Sequence, residues 1–326
     1  MKLATRADGE RDGRLAIVSR DLRRMEDAEA ARTVQMALDD WDSLRPALEA
    51  QYAALNANDQ LGEPFDVKRC LAVMPRSFQF LDASAFLAHN HFLAEAWGFP
   101  RRTEVDPPLM YQGLSDSFFP PHGAVPFRSE ADAIDFEAEF GVILGRTPLG
   151  VSPDEALGHV RLVLMLNDWS LRAFGPLEMR GGFGFLHAKP PSTLSAVAVT
   201  PDELGDAWQE GRVALTLEVH RGDVLFGRPS GAAMSYGFGQ LISHAAATRD
   251  LCAGTVLGSG TVANFNADEV GSGCIAERVA LDTVKPGTSP TPYLAFGERV
   301  RLEAFDEAGR SVFGSIDQWV APRAVP

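Results

Sequence analysis

Hydrophobic and polar positions alternate most regularly over residues 134–144, IDFEAEFGVIL. Ile134, Phe136, Ala138, Phe140 and Val142 fall on one side, and Asp135, Glu137 and Glu139 on the other. A two-residue period is that of a β-strand, whose successive side chains point to opposite faces. Glu137 and Glu139 therefore project together. Two like charges so close raise each other's pKa unless a cation or a donor lies between them. A hard divalent cation held through oxygen answers that repulsion. So does water on an open antiparallel face. The alternation alone leaves both readings open.

Elsewhere the period changes. KLATR, a turn over residues 8–13 and RLAIVSR predict an N-terminal hairpin. Val34, Leu38 and Trp41, then Leu44, Leu48 and Tyr52, recur at helical spacing and predict two helices, with Pro46 near the start of the second. Residues 56–64, NANDQLGEP, are rich in turn formers and divide a small N-terminal α/β domain, 1–64, from a larger β-rich domain, 65–326. In the larger part, residues 83–97 read as helical. The Pro- and Gly-rich stretch 99–126 reads as a long loop and, with 267–273, as a candidate lid. Ser152-Pro153-Asp154-Glu155 starts a short helix, with Ser as N-cap, Pro at the first position and Glu at the third. The apolar run 161–166 reads as a buried strand ending at Asn167-Asp168-Trp169. Residues 213–219 turn through Arg221-Gly222-Asp223 into 224–227. A helix is expected over 240–248, and a last hairpin joins 299–305 to 311–316. Many hairpins with few helices predict an α+β fold, not an alternating βαβ chain.

Composition narrows the function classes. A net charge of −14 argues against a nucleic-acid binder. No apolar run is long enough to span a membrane, and the N-terminal residues lack an apolar signal core, so a cytoplasmic protein is expected. Cys70, Cys252 and Cys274 are scattered and form no C-x-x-C pair. The GGFG at 181–184 has neither a following G-K-[ST] nor dinucleotide spacing, so it is not a phosphate loop.

The candidate acids are Asp82, Glu137, Glu139 and Asp168. An all-oxygen set suits Mg²⁺, Mn²⁺ or Ca²⁺ and not zinc. His89 follows Asp82 by seven residues. On one continuous helix the two would share a face, roughly 10 Å apart, as a ligand and a nearby base. A histidine simply satisfied by the backbone is the other reading, and for a lone histidine the more common one. His91, His122, His159, His187, His220 and His244 are read as structural. Arg172 and Lys189 flank the Gly-rich stretch; most such charges are simply solvated, yet beside a metal they also suit an anionic substrate.

Four pieces in order make the chain resemble the fumarylacetoacetate hydrolase family, from about Asp82 to Asp317. They are Asp82 with His89; Asp135-Phe136-Glu137-Ala138-Glu139 followed by GVILG; Asn167-Asp168-Trp169-Ser170 with Arg172 and then Lys189 in FLHAKPPST; and Gly258-Ser259-Gly260-Thr261-Val262 followed by Cys274-Ile275-Ala276-Glu277. The resemblance implies a mixed β-roll, usually homodimeric, with an extra N-terminal domain. It implies Asp82, Glu137, Glu139 and Asp168 as ligands of Mg²⁺ or Ca²⁺, with Mn²⁺ a further option. It implies His89 as general base, Glu277 as the acid that orients it, and Arg172, Lys189, Tyr111 and Thr261 as substrate contacts. The activity implied is metal-dependent C–C hydrolysis of a small-molecule β-diketo acid of fumarylacetoacetate or acylpyruvate type, in aromatic catabolism. The alternatives are decarboxylation or tautomerisation of a related oxo-acid, or a non-catalytic metal-stabilised binding protein. The chain departs from the family pattern at Gly175, Met179 and Ser84, where a Gln and two Tyr are expected.

Overall fold

The strand predicted by the alternation is central in the molecule. The computed structural model describes residues 1–324, and Ala138–Leu144 is buried at every position. It pairs antiparallel with Val160–Asn167 on one side and with Val256–Gly258 on the other. Ala138, Phe140, Val142 and Leu144 enter one apolar core, and Ile143 on the opposite face enters a second. Neither face is open to water, so solvent is not what separates Glu137 from Glu139. Before Ala138 the strand breaks: Ile134–Asp135 pairs with Ser170–Leu171, and Glu137 sits at the break.

The fold is α+β with mixed sheets. The large sheet runs Glu63–Pro64, Arg24–Asp27, Arg14–Val18, Lys2–Arg6, Val197–Val199, Val160–Asn167, Ala138–Leu144, Val256–Gly258, Phe80–Ser84, Leu109–Gly113. The N-terminal strands thus extend the sheet that holds the central strand, through the antiparallel pairing of Lys2–Arg6 with Val197–Val199. Helices Val34–Asp39 and Trp41–Ala57 bring Leu38, Trp41, Leu48 and Leu55 to the second core, with Leu162 and Leu164 of the sheet. The first core lies between the large sheet and a second one, ordered Val224–Gly227, Thr216–Arg221, Arg299–Phe305, Ile316–Pro322, His122–Phe127.

Several elements differ from the sequence reading. Residues 83–97 are not one helix. Phe80–Ser84 is a strand, parallel to Val256–Gly258 and antiparallel to Leu109–Gly113, and the helix is Leu87–Trp97. Pairing on both edges overrides the helical bias of an Ala-rich segment. The supposed loop 99–126 contains Leu109–Gly113 and the start of His122–Phe127. Pro46 lies inside the helix that begins at Trp41, past the first turn. The last hairpin pairs Arg299–Phe305 with Ile316–Pro322, not with 311–316. Ser311 makes only an isolated bridge to Phe305, and Gly314 adopts φ +72° before the strand resumes.

Candidate metal centre and its histidine dyad

Two strands of the large sheet and the turn after a third place the acids. Asp82 lies on Phe80–Ser84, Glu139 on Ala138–Leu144, Glu137 just before it, and Asp168 directly after Val160–Asn167. Oxygens of all four lie within 4.8 Å of one another, and all four residues are buried. The strand between them carries Gly258, in register with Asp82 and with Gly141. A β-carbon there would collide with Asp82 Oδ1 and lie 2.9 Å from Glu139 Oε2. Glycine at this point is what leaves room for the carboxylates.

Donors reach the cluster from one side. Lys189 Nζ donates to Glu137 Oε2 at 2.7 Å, to Asp168 Oδ2 at 2.5 Å and to Ser170 Oγ at 2.8 Å. Arg172 donates through Nη2 to Glu137 Oε1 at 2.6 Å and through Nε to Asp135 Oδ2 at 2.8 Å. Tyr111 Oη donates to Asp168 Oδ2 at 2.7 Å, and Ser192 Oγ to Asp168 Oδ1 at 2.6 Å. Burial opposes the charge on Glu137, but the Lys189 and Arg172 cations outweigh it and hold the carboxyl well below its usual range.

Asp82 and Glu139 are treated differently. Asp82 Oδ1 and Glu139 Oε1 are buried without a hydrogen-bond partner. Glu139 Oε2 accepts from Gly260 N at 2.9 Å. Burial first, then neighbouring carboxylates, pushes both residues well above the usual range. Orphaned oxygens, a glycine gap and an all-oxygen donor set fit a divalent cation. The donor set alone does not select which one.

The dyad sits where two helices meet. His89 is in the first turn of Leu87–Trp97 and Glu277 in the first turn of Ile275–Val284, with His89 Nδ1 3.2 Å from Glu277 Oε2. A carboxylate at Nδ1 favours the tautomer with hydrogen there and leaves Nε2 as acceptor. Glu277 is fully buried, and burial raises its pKa against the opposing pull of His89. His89 lies near enough to act electrostatically on Glu137. His89 and Asp82 are thus on a helix and a strand, not two turns apart on one helix. Cys274 caps the second helix, its Sγ accepting from Glu277 N at 3.3 Å. Cys274, His89 and Glu277 also lie within 4.8 Å of one another, but burial pushes the thiol well up, so a thiolate ligand is disfavoured there.

Asp135 joins the cluster to the dyad. Its Oδ1 accepts from Ile275 N at 2.8 Å, and its Oδ2 from Ala276 N at 2.9 Å and from Arg172. One carboxylate therefore fixes both Arg172 and the helix that carries Glu277. Asp135, Ser170 and Ser192 all stand within the motifs read from the sequence, as the first acid of D-x-E-x-E, the last residue of Asn167-Asp168-Trp169-Ser170 and the serine of FLHAKPPST, but that reading gives none of them a role. Thr261 is buried, with Oγ1 unpartnered. Gly175 and Met179 lie on the surface helix Gly175–Gly181, none of whose residues is buried, and Met179 is 49% exposed. Among the described residues no helix is long and apolar enough to cross a membrane.

Known proteins agree with this architecture. A 2,4-didehydro-3-deoxy-L-rhamnonate hydrolase of Sphingomonas sp. (strain SKA58) is 34% identical over 102 residues, which are 30% of this chain and 35% of that protein. The maleylpyruvate hydrolase of Sphingobium sp. SYK-6, solved with manganese(II) and pyruvate, superposes with a TM-score of 0.66 at 16% identity, over 99% of this chain and 100% of that one. The fumarylacetoacetate hydrolase of Exiguobacterium antarcticum gives 0.66 at 17% identity, over 99% and 100%. The 5-carboxymethyl-2-hydroxymuconate delta-isomerase of Mycobacterium smegmatis gives 0.60 at 16% identity, over 100% of both chains. These three share the fold. The family model for fumarylacetoacetase N-terminal domain 2 matches residues 1–76, and that for the fumarylacetoacetate (FAA) hydrolase C-terminal region matches residues 80–320. The chain belongs to the fumarylacetoacetate hydrolase family.

Proposed function

We propose that the protein is a divalent-metal-dependent hydrolase that cleaves a C–C bond in a β-diketo acid of acylpyruvate or fumarylacetoacetate type, in aromatic catabolism. The observation that carries this reading is the pairing of His89 with Glu277 beside four buried carboxylates, two of them with orphaned oxygens. A base held by a buried acid serves a proton-abstraction step, which simple metal storage does not need. Asp82, Glu137, Glu139 and Asp168 would hold Mg²⁺ or Ca²⁺, with Mn²⁺ a further candidate. When bound, the cation supplies Lewis acidity at the keto–enolate oxygens of the substrate.

The protein's own groups do the rest. Glu277 keeps the His89 ring oriented through Nδ1. His89 Nε2 takes a proton from the water that attacks the distal carbonyl. Collapse of the tetrahedral adduct then breaks the C–C bond. The electron pair leaves with the keto-acid half as its enolate, whose carbon takes the proton back from His89. Arg172 keeps Nη1 outside its pairing with Asp135 and Glu137, and it is available to the developing oxyanion. The three protons of Lys189 are all committed within the protein, so it reaches a substrate oxygen only by exchanging one of them. Tyr111 and Thr261 complete the substrate contacts. The division at 1–64 and 65–326, a homodimeric state and a cytoplasmic location belong to the same proposal.

The test is loss of the enol absorbance of a short acylpyruvate, with Mg²⁺ and with chelator, while pyruvate release is followed. Metal-dependent loss with pyruvate formed is the expected result. A related fold neighbour is named as an isomerase, so tautomerisation or decarboxylation is the second reading. Loss of absorbance without pyruvate, or release of CO₂, would replace hydrolysis with that chemistry. Binding of pyruvate-type ligands with no turnover would leave a binding protein.

A further inference from the structure

Arg172 and Lys189 both bind Glu137, and the chain between them has little to hold it. Helix Gly175–Gly181 is short and has no buried residue. Gly182 and Gly184 follow with φ of +72° and +94°, and Phe183 is fully exposed. Such a segment, short of packing and rich in backbone freedom, should be mobile, yet it must deliver Lys189 to three acceptors. One side chain closes it. Glu178 Oε1 accepts from His187 N at 2.8 Å and from His187 Nδ1 at 3.1 Å. Its Oε2 accepts from Leu186 N at 3.0 Å and Ala188 N at 3.1 Å. Ala188 O in turn accepts from Leu171 N at 2.8 Å, next to Arg172. Three consecutive backbone N–H groups just before Lys189 are thus gathered by one carboxylate from the helix that begins after Arg172.

We propose that Glu178 is a positioning residue: it closes the segment 175–188 into a ring and so sets the reach of Lys189 onto Glu137 and Asp168. The inference rests on the metal-centre reading only in its consequence, since Lys189 spaces two of the four carboxylates. Gln at this position keeps one acceptor oxygen and replaces the other with a donor that faces backbone N–H groups, so it should close the ring in part. Ala closes nothing.

The experiment compares the full-length protein with Glu178→Ala and Glu178→Gln. Calorimetric titration with Mn²⁺ and with Mg²⁺ reads the centre, and amide exchange over residues 182–189 reads the ring. The expected result is fast exchange and roughly tenfold weaker metal binding in Glu178→Ala, with Glu178→Gln between it and the parent and Tm little changed. Faster exchange with unchanged metal affinity would overturn the positioning role, and so would unchanged exchange. If Glu178→Ala is globally unfolded, the same two readings on Glu178→Gln decide. A parent protein that binds no divalent cation would sink the metal-centre reading, and the exchange of 182–189 would then decide the ring by itself.

Discussion

The carboxylate cluster has two halves, and the protein treats them in opposite ways. Glu137 and Asp168 are met by Lys189, Arg172, Tyr111 and Ser192, all donors supplied by the chain. Asp82 and Glu139 face one another across the Gly258 gap, and each keeps an oxygen without a partner. Burial is similar on both sides, so desolvation does not explain the difference. The cations do: they hold Glu137 low, while Asp82 and Glu139, without a comparable partner, are driven up. A buried charge left without a partner costs several kcal/mol, on the order of what a single mutation rarely exceeds. The open half is therefore where a cation has most to neutralise, and the closed half is the wall that keeps the site in shape.

Five expected outcomes sharpen or break that contrast. The largest is at the dyad beside the cluster. His89→Ala should lower turnover by roughly 10²- to 10⁴-fold with metal affinity intact, seen by assay and calorimetry together; normal turnover would remove His89 as base. Next, Lys189→Met strips the closed half of its ammonium and should destabilise the metal-free protein by about 3–5 kcal/mol in denaturant unfolding at neutral pH. An unchanged midpoint would mean that Glu137 and Asp168 do not need it. Gly258→Ala fills the open half. It should weaken cation binding by roughly 10- to 100-fold and cost about 1–3 kcal/mol of stability; full metal affinity would show that the gap is incidental.

The fourth outcome concerns pH. Asp82 and Glu139 have folded-state pKa values raised above the ordinary 3.8 and 4.5, so the stability they contribute is present at low pH and lost as pH rises through the raised values. Glu137, held low, has the opposite sign: its contribution is present above the ordinary value and lost as pH falls. The chelated protein should therefore lose Tm on the alkaline side of 4.5, and saturating Mg²⁺ should flatten that slope. A metal-free Tm that rises with pH across that range would reverse the assignment of the two halves. The smallest effect is Ser192→Ala, which removes one of several donors to Asp168 and should cost about 1 kcal/mol of stability, with activity largely kept.

Much of this site was legible along the chain, and the limits have physical reasons. Glu137 and Glu139 were readable as neighbours because a strand's two-residue period is a local property. The short helix start at Ser152 was readable for the same reason, and its capping box is formed as expected. Asp82 with His89 was misplaced. Seven residues mean two turns only on a continuous helix, and Phe80–Ser84 becomes a strand because partners on both edges claim it. Asp135 was marked only as the first acid of D-x-E-x-E, and Glu178 had no local mark. Their importance lies in the backbone N–H groups they collect from residues 140 and ten positions away, respectively.

By itself the sequence determined which carboxylates could act and that an oxygen-loving cation suits them, and its family resemblance pointed to a histidine and a glutamate as a candidate base and its orienter. Only the tertiary structure decided that the acids converge, that neither face of their strand meets water, and that one half is closed by cations while the other stays open. Residue type and short-range period are written in the chain. Convergence and desolvation depend on which strands pair and on what covers them, and those are set by burial summed over the whole molecule.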